Sequence, residues 1–145
     1  MSALRNTFKG DTSKSYYISA APQCPSPDAS IPLDAMKQMD FVFVQFYNNG
    51  NCNVGQPGFV DSFKTWTSQL AGGPMVYVGA PACGGTACAG SGYVAPAQIG
   101  DVIKSAQNSG ASNMGGVMLW DGAEGFVNKD GGSDNYMAVV KTALG

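Results

Sequence analysis

Four short strand-like runs separated by helical stripes do most to limit the folds open to this chain. "SYYISAAP" (15–22), "FVFVQFYNN" (41–49), "PMVYVGAPA" (74–82) and "GGVMLWDG" (115–122) are largely apolar, β-branched and aromatic. Such runs read as strands buried by neighbouring layers. Between them, Phe59, Phe63, Trp66 and Leu70 repeat at i, i+4, i+7 and i+11 ahead of Gly72-Gly73. Ile99, Val102, Ile103 and Ala106 form a second stripe between Pro96 and Gly110, and Tyr136, Val139, Val140 and Ala143 a third behind a Ser133 cap. Each spacing predicts a helix with one apolar face. Pro32–Met39 predicts a shorter helix, and Met1–Lys9 the tail of another. Strand and helix alternate, which calls for parallel strands joined by right-handed crossovers. No internal repeat or linker interrupts the pattern, so 1–145 reads as a single domain.

Each predicted strand runs into a loop rich in Pro, Gly, Asn or Gln: "APQCPSPD", "NNGNCNVGQPG", "APACGGTACAGSG" and "DGAEGFVNKDGG". Long loops at the C-terminal ends of parallel strands mark the functional face of a (β/α) barrel or an open α/β sheet. No GxGxxG or Walker pattern follows any strand, which leaves a nucleotide site without support.

Composition narrows the chemistry. At 145 residues the chain is long enough to bury a core. Its 44% hydrophobic and 12% charged content argues against disorder and for a surface built from small polar residues. A net charge of −2 and a pI near 4.7 provide no basic stripe for a nucleic-acid backbone. With no histidine, an imidazole base or metal ligand is excluded. The methionines fit core filling rather than a metal site, and neither metal nor cofactor is expected. No apolar run approaches the roughly 18 residues that span a bilayer, and "MSALRNTFKGD" lacks the apolar segment of a secretion leader.

Four cysteines stand at 24, 52, 83 and 88. They do not make a zinc ribbon, since no CxxC pair occurs. Cys83 and Cys88 bracket a Gly-rich loop that a short disulfide can close. Cys24 and Cys52 each lie just past a predicted strand, within bridging reach if those strands are neighbours. Four separate buried thiols remain the alternative. Disulfides would place the chain in an oxidising compartment.

"YYISAAPQCPSPDAS", "DFVFVQFYNN", "GSGYVAP" and "GGVMLW" together resemble the family 18 glycoside hydrolases, in particular the class III chitinases of plants and fungi. Their order and spacing are similar to the fifth to eighth barrel strands of that family, over about Leu4 to Leu144. The resemblance implies an α/β fold: half of a (β/α)8 TIM barrel, about four parallel strands alternating with helices, lacking the first four barrel strands. The family's signature, DxxDxDxE at the end of its fourth strand, holds the glutamate that protonates the leaving oxygen and the aspartate that orients the substrate's N-acetyl nucleophile. This chain contains no DxxDxDxE, and its one glutamate is Glu124. No catalytic residue is therefore assigned.

Alternation along the second strand puts Phe43, Gln45 and Tyr47 on one face. By resemblance, Gln45 and Tyr47 face a sugar, with Asn48 nearby. Trp120 forms the floor on which a sugar ring stacks, and Met118 shares its inward face. Ser19, Ala21 and Gln23 border the cleft, and Trp120–Asp121 is a candidate cis peptide. Cys24 and Cys52 match a disulfide of plant members, whereas Cys83–Cys88 has no matching pair there. Asp121 and Glu124 read as solvated loop acids.

An open half-barrel leaves Phe43, Tyr47, Met118 and Trp120 exposed, a patch that favours a homo-oligomer or an N-terminal half-barrel as partner. Three functions follow from the resemblance. The first is a truncated chitinase-like protein, not hydrolytic alone, that binds chitin or N-acetylglucosamine oligosaccharides. The second is half of an active chitinase, and the third a self-associating secreted protein with an unrelated interaction or immune-active role. An extracellular location is implied by the resemblance and the cysteines.

Overall fold

The computed structural model describes residues 1–130 and 132–145. Four strands, β1 (Ser19–Ala20), β2 (Phe41–Gln45), β3 (Met75–Pro81) and β4 (Met114–Trp120), form one sheet in the order β1-β2-β3-β4. Every pairing is parallel. Helices α1 (Ser2–Lys9), α2 (Leu33–Met36), α3 (Phe59–Gln69), α4 (Pro96–Gln107), α5 (Gly122–Val127) and α6 (Tyr136–Leu144) alternate with the strands or flank them. The arrangement is half of a (β/α)8 barrel, opened along β1 and β4.

The apolar stripes form the helices they predict. α3 buries Phe59, Phe63 and Trp66, α4 buries Ile99, Ile103 and Ala106, and α6 buries Tyr136 and Val140. Pro96 opens α4, where its missing N–H costs no hydrogen bond. These faces cover one side of the sheet, closing a core over Val42, Val44, Val76 and Val78, none of which is exposed. Two hydrogen bonds from aromatic side chains sit inside this core. The Trp66 indole N–H donates to the Cys24 carbonyl at 2.9 Å, and the Tyr136 hydroxyl donates to the Val94 carbonyl at 2.8 Å. At the opposite end Arg5 pairs with Asp40 at 2.9 Å, tying α1 to the start of β2.

Three elements differ from the sequence expectation. β1 is two residues long rather than a full run over 15–22, extended only by a bridge between Gln23 and Gln45. The cap of α6 is Asn135, whose side chain accepts from the Ala138 N–H at 2.9 Å. Ser133 lies too far ahead of the first turn to do this. α5 forms inside what reads as a Gly-rich loop, because the Asp121 carboxylate accepts the Glu124 N–H at 3.1 Å and caps it.

Among the described residues, no helix covers the second face of the sheet. There Phe41, Phe43 and Tyr77 pack ring on ring, with centroids 5.0 to 6.3 Å apart, and Tyr17 lies 5.4 Å from Phe41. Tyr17 is 64% exposed and Trp120, at the end of β4, 52%.

Candidate functional site

A groove of about 490 Å³ opens at the C-terminal ends of the strands, lined by Ala21, Phe43, Gln45, Tyr47, Asn48, Cys88, Met118 and Trp120. Strand register brings these residues together. Gln45 pairs with Gly79, and Gly79 with Met118, while Pro81 pairs with Trp120. Gly79 keeps the centre of the floor low. A Cβ there would stand 2.5 Å from the Val44 carbonyl oxygen and 2.9 Å from the Met118 methyl, so no larger residue fits without moving the sheet.

The five residues named from sequence, Gln45, Tyr47, Asn48, Met118 and Trp120, all line this groove, and Ala21 joins them. Ser19 and Gln23 do not line it; Gln23 instead accepts a hydrogen bond from the Asn49 side chain. Gln45 is held by its neighbour strand, with Nε2 donating to the Ala21 carbonyl at 2.6 Å. Its amide oxygen is left as an acceptor. The peptide between Trp120 and Asp121 is cis, as is Ser26–Pro27.

Tyr47 is only 5% exposed, in contrast to the open position that a bare half-barrel predicts. The cause is the loop after β3. Its residue Gly92, at φ +97°, packs so closely that a Cβ would meet Tyr47 Cα at 2.8 Å. The Asn48 N–H donates to the Ser91 carbonyl, and the Ser91 N–H donates back to Asn48 Oδ1, both at 3.1 Å. Asn48 sits at φ +62°, a region asparagine tolerates better than most residues. No buried side-chain polar atom among the described residues lacks a partner. The Tyr47 hydroxyl, which bonds to no described residue, therefore opens toward the groove. Burial pushes its pKa above the ordinary tyrosine value, so at neutral pH it is an uncharged donor.

Both disulfides are formed: Cys24–Cys52, with Cα atoms 5.9 Å apart, and Cys83–Cys88, 5.6 Å apart. The second closes the base of the loop that covers Tyr47, and Cys88 itself lines the groove. Sequence reasoning assigned Cys88 no place there, because nothing local shows that the loop folds back over β2. A second depression of about 300 Å³ lies between the end of α3 and the turn before β4. It is lined by small residues, with Lys64 its one charged group, and offers no aromatic surface.

No family model matches the chain. Endochitinase 3 of Metarhizium robertsii is 45% identical over 141 residues, which cover 97% of this chain and 42% of that protein. A GH18 chitinase from Pseudoalteromonas aurantia superposes with a TM-score of 0.72 at 27% identity, covering 99% of this chain and 52% of its own. The chain belongs to the family 18 glycoside hydrolases. It corresponds to the C-terminal half of their barrel, and spans less than half the length of the Metarhizium relative. This family 18 half-barrel is also similar to a xylanase and α-amylase inhibitor protein from Scadoxus multiflorus, with a TM-score of 0.62 at 26% identity, covering 98% of this chain and 46% of that one.

Proposed function

We propose that the groove binds β-1,4-linked N-acetylglucosamine oligosaccharides and that the chain alone does not hydrolyse them. The observation that carries this reading is Trp120, half-exposed at the end of β4 and flanked by Met118 and Tyr47. An indole face presented to a groove stacks on the apolar face of a sugar ring. Around it stand the Tyr47 hydroxyl as donor and the Gln45 amide oxygen as acceptor, the few directed polar groups that a mostly apolar ligand site uses. The chain contains no DxxDxDxE, which agrees with binding without hydrolysis.

The test is a titration with chitotetraose followed by tryptophan fluorescence. Of the two tryptophans, Trp66 is sealed in the core and Trp120 reports from the groove. A saturable change is expected, and Trp120→Ala should lose about 2 kcal/mol of binding, roughly thirtyfold in affinity. A flat response at millimolar sugar rejects the proposal.

A second reading has its own observation. The unpaired side of β4 and the aromatic face of Tyr17, Phe41 and Tyr77 fit a complementary half-barrel, and on that reading the chain is one half of an active chitinase. Hydrolysis appearing only when an N-terminal half, such as that of the Metarhizium relative, is co-expressed with this chain would favour it. Hydrolysis by the chain alone would remove both readings.

A further inference from the structure

Cys83, Cys88 and Glu124 form a cluster to which sugar binding gives no task. Their two Sγ atoms and a carboxylate oxygen all lie within 4.8 Å of one another. In the folded chain the sulfurs are joined as a disulfide. The half-buried Glu124 carboxylate makes no hydrogen bond or ion pair among the described residues. We infer that this cluster is a redox-gated metal site: once Cys83–Cys88 is reduced, the two thiolates and the Glu124 carboxylate hold one divalent cation of the zinc class.

Spacing is the first support. Cys-x4-Cys lies at the upper end of the range in which two cysteines close on one zinc. Two Zn–S bonds of about 2.3 Å let the sulfurs separate to roughly 3.7 Å in tetrahedral geometry. The existing Cα separation of 5.6 Å accommodates this, and the exposed Gly-Gly-Thr-Ala segment between the cysteines is free to adjust. The third ligand is held independently of that segment. Glu124 stands on α5, capped by Asp121 at one end. At the other end Asn128 Nδ2 donates to the carbonyl of Ala82 at 2.8 Å, the residue before Cys83.

Charge is the second support. Reduction and deprotonation would put two thiolates beside a carboxylate already without a cationic partner, three negative charges whose repulsion a dication relieves. Borderline-soft ions are favoured, since two of the three donors are sulfur. Three protein ligands leave the fourth position to water.

The reductant is a dithiol. One of its thiolates attacks a cysteine Sγ, the Cys83–Cys88 bond breaks, and the resulting mixed disulfide is resolved by the second thiol. The reductant leaves as a cyclic disulfide, having passed two electrons, and two protons, to the protein sulfurs. The cation then displaces those two protons without changing its own oxidation state.

The experiment uses Cd²⁺ as probe, because thiolate ligation gives a charge-transfer band in the ultraviolet. The chain is reduced with dithiol, freed of it by anaerobic gel filtration, and titrated. We expect one Cd²⁺ per reduced chain, no band in the oxidised chain, and no band in the reduced Cys83→Ser/Cys88→Ser variant, which keeps Cys24 and Cys52. Glu124→Gln, which leaves the disulfide and the exposed face intact, should bind Cd²⁺ about tenfold or more weakly. Circular dichroism of each oxidised variant establishes that it folds. The inference is overturned if the reduced wild type shows no band or the double-serine variant keeps it. Equal affinity in Glu124→Gln, the mark of a plain dithiol, overturns it as well.

Discussion

Trp66 and Trp120 are the chain's two indoles, and their surroundings set them to different work. Trp66 is fully buried, with its N–H satisfied by the Cys24 carbonyl, whereas Trp120 lies half in solvent over the groove. Their helix and strand positions were readable from residue spacing. Which of them faced the groove was readable only through family resemblance, because an aromatic at the end of a strand serves a core equally well. Gln45 was readable as an amide in need of a partner, and the structure supplies one in Ala21. The burial of Tyr47 was not readable, since it depends on a loop more than forty positions further along the chain. Tyr136 carries the prediction at this scale. Burial pushes its hydroxyl well above the ordinary value of 10.0, with the neighbouring Tyr93 adding to the rise. The native state therefore keeps Tyr136 neutral while an unfolded chain ionises it, so this contribution is whole below pH 10 and is lost as pH climbs beyond it. Tyr136→Phe should cost about 1–3 kcal/mol near neutral pH, because the Val94 carbonyl loses its donor. It should also flatten the alkaline fall in stability. Urea unfolding at neutral pH and above pH 10 checks both, and an unchanged alkaline slope would contradict the assignment.

At the scale of elements, α3, α4 and α6 were legible because each buries a stripe at helical spacing, and β2 to β4 because apolar runs end in turn formers. α5 was missed because two glycines in six residues obscure the one local signal, an aspartate three positions ahead of a glutamate. β1 was overread. Its segment supplies Tyr17 to the aromatic face but pairs over only two residues, as an edge with one neighbour. The disulfides tie elements together to different degrees. Cys24–Cys52 closes a separation of 28 residues and joins the end of the β1 segment to the loop after β2, while Cys83–Cys88 closes one of 5. Loop-closure entropy assigns about 3–4 kcal/mol to the longer link and about 2 kcal/mol to the shorter. Replacing Cys24 and Cys52 by serine should lower the denaturant midpoint more than replacing Cys83 and Cys88. The reverse order would show that the loop over Tyr47 matters to stability beyond its length.

The whole molecule has one finished face and one open one. Helices bury the outer surface of β2 and β3 and leave that of β4 half-buried, whereas the inner surface exposes Tyr17, Met75 and Trp120, and among the described residues β4 has a strand on one side only. A closed barrel removes both features at once by giving every strand two neighbours. The half-barrel was legible from four strand–helix units and the family resemblance, whereas any cover for the open side must come from outside the chain's own residues. Hydrogen exchange can find it. In a dilute solution of separate chains, β3 is paired on both sides and its amides should be protected. Those β4 amides that point away from β3 should exchange as fast as loop amides, since exchange protection follows local pairing and burial. If peptides covering 114–120 are instead as protected as those covering 75–81, a partner already covers β4. Dilution then separates the cases: protection that falls with concentration means a second copy, because only an association between chains depends on their number. If β4 is open in the lone chain and becomes protected when an N-terminal half-barrel is added, that half is the natural occupant, and the aromatic face is the remainder of a barrel interior.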